Sequence, residues 1–138
     1  MHRKGLIVKY DVRKVETGEL VNNCFVLRPD KDPAAVDALI EYARSSENME
    51  LRQDIANWLK NVAGKEGVNY YEIGEGEYVI ARSKEEALDF YGNMITTIND
   101  NQCVRQLHDL DNFHDGIVLK QILKAQTIPA YTHSVHAI

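Results

Sequence analysis

Residues 6–15, LIVKYDVRKV, alternate in character. Leu6, Val8, Tyr10 and Val12 fall on one side of an extended chain, and Lys9, Asp11 and Arg13 on the other. A period of two belongs to a half-buried strand and cannot be satisfied by a helix. The tetrapeptide ETGE (16–19) supplies a glycine turn, and the run from Leu20 to Arg28 can return beside the first, with Cys24 and Val26 on one face and Phe25 and Leu27 on the other. Together they predict an antiparallel hairpin.

The period then changes. In PDKDP, Asp32 is an N-cap and Pro33 suits the first helical position. Val36, Leu39, Ile40 and Ala43 mark the buried stripe of a helix running to about Ser46. Asn48 caps a second helix, about Met49 to Ala63, with Leu51, Ile55, Trp58, Leu59 and Val62 inward and Gly64 as the stop. The short link predicts a helical hairpin packed on the sheet. After GKEG (64–67), Val68–Ile73 and Glu77–Ala81 read as strands around the GEGE turn. Ser83 and Glu86 form a capping box for a helix burying Ala87, Leu88, Tyr91 and Ile95. A strand at Cys103–Leu107 and a helix at Ile117–Ala125, capped by Asp115 and ended by Pro129, complete the order, and the last nine residues read as irregular. The expectation is an α+β fold in the order ββαα-ββαβα, with antiparallel hairpins and helices on one face. Residues 1–64 and 65–138 form two hairpin-helix subdomains packed as one unit.

Composition narrows the function classes. At 138 residues the chain can bury a core without disulfides or metal. A net charge of −5 argues against general duplex DNA binding, which needs a basic surface. No run approaches a membrane span or a signal peptide, so the expected setting is cytoplasmic. Cys24 and Cys103 sit in apolar runs and read as buried free thiols. There is no phosphate-binding glycine loop, serine elbow or CxxC pair. No cofactor is expected.

Two sets of residues could carry chemistry. HDLDNFHDG (108–116) offers His108, Asp111 and His114 as metal ligands for a small hydrolase, with His133 and His136 near the C-terminus. The six-residue spacing of the histidines suits neither helix nor strand. A calcium loop would need a ligand where Phe113 stands and a glutamate where Lys120 stands. Asp, Asn and Gly also build ordinary loops, and that is the preferred reading. Arg28, Arg82 and Arg105, beside Tyr70 and Tyr71, could hold a nucleotide or a partner by charge-assisted contacts and stacking. Trp58 lies on a buried stripe, so it belongs to the core. Tyr70 and Tyr71 are adjacent in a strand and face opposite sides, so one of them is expected to be exposed.

Residues 9–59 carry the TGE turn, the CFVLRP strand end, the DPAA helix start and a closing NWL. This stretch, a little over a third of the chain, resembles the front part of small uncharacterised proteins encoded by phages and prophages. The resemblance implies a protein that binds without turnover, against a host antiviral defence system. That is either an anti-CRISPR-like inhibitor of a protein complex or an oligomeric sponge for a nucleotide immune signal. Exposed aromatics and acidic side chains, those of GEGE and of the helix near Lys84 among them, would meet a basic host surface.

Overall fold

The computed structural model describes residues 5–6, 9–74, 76–94, 104–113 and 116–134. Among them the order is β1 (Val12–Arg13), β2 (Leu20–Val21), α1 (Pro33–Ser45), α2 (Met49–Val62), β3 (Asn69–Ile73), β4 (Glu77–Ala81), α3 (Lys84–Met94), β5 (Val104–Gln106), β6 (Asn112–Phe113), β7 (Gly116–Ile117), α4 (Val118–Lys124) and β8 (Ala130–Ser134). Every strand pairing is antiparallel, and the architecture is α+β with hairpins, as expected.

The local signals are met by local bonds. Asp32 accepts from the Ala34 amide and Asn48 from the Leu51 amide, so each side chain satisfies a helix donor that has no partner within its own helix. Ser83 Oγ accepts from the Glu86 amide, while Glu86 reaches back to the amide of Arg82, one residue beyond the usual capping-box partner. Gly64 adopts φ 73° after α2, the left-handed turn that ends many helices and that a side chain disfavours.

The central sheet has the order β5-β3-β4-β8. Helices cover both of its faces. On one, Tyr70, Tyr78 and Ile80 meet Val118 and Ile122 of α4. On the other, Tyr71, Ile73, Val79 and Ala81 meet Ala87 and Tyr91 of α3. The α1–α2 hairpin packs on Ile117 and Leu119, through Ile40, Ala43, Ile55 and Leu59. It is therefore stacked outside α4, and the expected direct packing on the sheet is replaced by a layer between them.

Several expectations change as a result. Both tyrosines are buried, Tyr70 at 0% and Tyr71 at 3% exposure, because neither face of the sheet is open. Trp58 is 45% exposed and does not belong to the core. At about 100° per residue it falls at the edge of the stripe set by Ile55, Ala56 and Leu59. Ala130–Ser134 is not irregular but is the edge strand beside β4. The first hairpin keeps its turn, with Gly18 at φ 74°, but pairs only Val12 with Val21 and Arg13 with Leu20. Cys24 is exposed, its thiol donating to the Val21 carbonyl. Cys103, Ile95 and Asp115 lie outside the described residues.

Candidate functional site

The HDLDNFHDG segment forms the short β6–β7 pair, and of its described polar side chains Asp109 is the one turned inward. Asp109 is 8% exposed and Lys60 of α2 is 3% exposed, and their charged atoms stand 2.8 Å apart. Asp109 Oδ1 receives no aligned hydrogen bond, so its compensation is chiefly Coulombic. Oδ2 accepts from Gln53 at 3.3 Å, and Lys60 also donates to Asn69 Oδ1 at 3.0 Å. The main chain of the segment serves α4. The carbonyl of Asp109 accepts from the Leu119 amide at 2.7 Å and that of Asp111 from the Val118 amide at 2.9 Å. Ile117, the residue before α4, has no side-chain cap, so these carbonyls do the work assigned to Asp115 in the sequence. The segment is a buried polar joint between α2, β3 and α4. The His108 and Asp111 side chains face solvent, and His114, His136 and the side chain of His133 lie outside what is described. No group of three potential ligands converges among the described residues.

A second polar group lies on the sheet. Glu72 accepts from Tyr78 Oη at 2.8 Å and from Arg105 at 3.0 and 2.9 Å. Partial burial pushes the Glu72 carboxyl up, but the hydrogen bonds from Tyr78 and Arg105 and the guanidinium charge outweigh it and hold the group below the ordinary carboxylate range. Burial, and then the bond to Glu72, push the Tyr78 phenol up. A lowered carboxyl contributes stability that is present above its unfolded value, about 4.3, and lost as pH falls through the folded one. The contribution of this group should therefore fade as pH falls below that value. Glu72→Gln should flatten the loss of stability there, measured by urea titration at stepped pH. An unchanged acid limb would show that this group is silent.

The residues singled out from sequence are not gathered in one place. Arg28 lies in the segment before α1, bound bidentately to Asp30 at 2.9 and 2.6 Å. Arg28 holds the Asp30 carboxyl below its usual value. Arg82 is exposed at the start of α3. Arg105 is tied to Glu72 on β5. Tyr70 is enclosed by Tyr78 and Phe113, with ring centroids 6.2 and 5.6 Å away, and its hydroxyl accepts from Thr132 at 2.8 Å. Tyr71 faces α3 on the opposite side of the sheet. Within one chain these five do not converge on one ligand.

What the sequence reading missed is the outer surface of the helical hairpin. Tyr42 (58% exposed), Met49 (70%), Trp58 (45%) and Val62 (37%) are exposed on the hairpin, as are Asp37, Glu41, Glu47, Glu50 and Asp54, of which Asp37 pairs with Lys120 of α4 and Glu41 with Arg44. Asp54, Trp58 and Val62 succeed one another at four-residue spacing, which places them on one ridge of α2. The available sequence signal was that spacing, read against a stripe already filled by Leu51, Ile55 and Leu59. Residues 33–138 also hold sixteen of the 21 acidic residues but only nine of the 16 Lys and Arg, so this surface belongs to the acidic part of the chain. No helix among the described residues is long and apolar enough to cross a membrane. Comparison with protein-family models, with curated proteins and with solved structures gives no match.

Proposed function

We propose that this protein acts by binding, without turnover, and that it presents the outer face of the α1–α2 hairpin to a basic surface on another protein. The observation that carries the reading is the exposure of Trp58 and Tyr42 among five exposed carboxylates. Aromatic residues flanked by charge have the composition of an interface anchor with its polar rim. Acidic side chains around them would speed encounter with a basic partner and orient it. The resemblance of residues 9–59 to phage and prophage proteins supports a setting in host defence, where the partner would be a component of an antiviral complex and the protein its inhibitor.

The test is capture of the tagged full-length chain from a bacterium that carries an active defence complex, followed by native mass spectrometry. Trp58→Ala should leave stability within about 1 kcal/mol, because the ring is half exposed, yet weaken the partner by tenfold or more, the size of an interface hot spot. Glu50→Lys combined with Asp54→Lys should slow association. A partner held equally by all three proteins would overturn the reading. So would a bound mass of nucleotide size in place of a protein.

A further inference from the structure

Among the described residues of the first 32, only Val12–Arg13 and Leu20–Val21 are paired as strand. Leu6 (74% exposed), Tyr10 (47%), Val15 (100%), Leu20 (43%), Phe25 (69%) and Val26 (37%) stand out from the molecule, and no described residue before Val36 joins any of the three core clusters. Beyond their two paired positions the limbs of the hairpin part around a trough of about 980 Å³, lined by Tyr10, Val12, Leu20 and Phe25 among others. The outer edge of the 9–13 limb pairs with no strand among the described residues, since β1 bonds only to β2.

We infer that this arm is a dimerisation element whose partner is the same arm of a second copy, paired antiparallel about a two-fold axis at Val12. The charges favour that partner. In this register Asp11 of each copy lies opposite Arg13 of the other, giving two opposite-charge cross-strand pairs. Tyr10 lies opposite Lys14, a pairing that suits a cation over an aromatic face. Arg13 donates to the Gly18 carbonyl at 3.1 Å and Lys14 stands 3.7 Å from Glu19, exposed contacts that pairing about the axis would exchange for Asp11 and Tyr10 of the second copy. The self-paired arms form a four-stranded sheet in the order β2-β1-β1-β2.

The test is sedimentation equilibrium of the full chain up to about 100 µM, the range in which mass action exposes a moderate dimer. Wild type should dimerise. Asp11→Arg and Arg13→Asp should each weaken self-association by at least about tenfold, because each places like charges opposite one another. An equimolar mixture of the two variants restores both opposite-charge pairs and should return to within about threefold of the wild-type affinity. Since the arm joins no core cluster, both variants should keep the wild-type circular dichroism spectrum. A wild type that stays monomeric, variants that dimerise like wild type, or a mixture that stays monomeric would each overturn the inference.

Discussion

Lys60→Met should lower the melting temperature by roughly 10–20 °C, the consequence of leaving one buried charge without its partner at a cost of about 3–5 kcal/mol. The Asp109 carboxylate would keep only Gln53, a neutral donor at 3.3 Å that also donates to Asn57. Removing both charges is a different experiment. Lys60→Met with Asp109→Leu replaces the pair by apolar groups of similar size and should recover most of the loss, since two desolvated charges repay little more than their own dehydration. The neutral members of the network keep other bonds in that variant, because Asn69 also donates to the Gly67 carbonyl and to Tyr71 Oη. Scanning calorimetry of the three proteins checks it. A single variant within a few degrees of wild type would mean that water reaches the joint.

Tyr70→Ala should cost about 3–5 kcal/mol, the range for deleting a fully buried aromatic ring. The ring is 0% exposed and is wedged among Tyr78, Phe113, Val118 and Ile122, so the space it leaves is walled by the sheet and α4 and cannot readily collapse. Tyr70→Phe keeps the ring and loses the hydroxyl with its bond from Thr132, so about 1 kcal/mol is expected. The ratio between the two variants in urea unfolding separates packing from hydrogen bonding. Near-equal losses would place the energy in the Thr132 bond and overturn the packing account.

Legibility from sequence followed the range of the interactions. Asp32, Asn48 and the Ser83–Glu86 pair could be read because a cap acts within three or four residues of itself. The turn glycines could be read for the same reason. The edge strand at Ala130–Ser134 was not legible, since its short run becomes a strand only beside the open edge of β4, some fifty residues earlier. Tyr70 and Tyr71 were correctly placed on opposite faces. That both faces are covered follows from where α3 and α4 pack, which no local pattern states. Trp58 misled because apolar spacing shows the direction of a side chain and not the width of what lies above it. Of the candidate site, the polar run at 108–116 was visible, but its use was not. An aspartate in a loop-like run looks solvated until a lysine 49 positions earlier is found beside it. The one hint was Lys60 itself, four residues after Ala56 and next to Leu59 on an inward face.

The placement of α4 bears on how the chain can be divided. Its seven residues touch two cores: Leu119 belongs with the helical hairpin, and Val118 and Ile122 belong with the sheet. Its first turn is held by carbonyls from the same segment whose carboxylate reaches Lys60. A cut at Gly64, the natural seam by sequence, would strip the helical hairpin of its floor and leave a lysine without its counter-ion, while the remaining half would show a bare apolar helix to water. The two halves share a hairpin-then-helix plan in sequence, yet each carries a surface that the other covers.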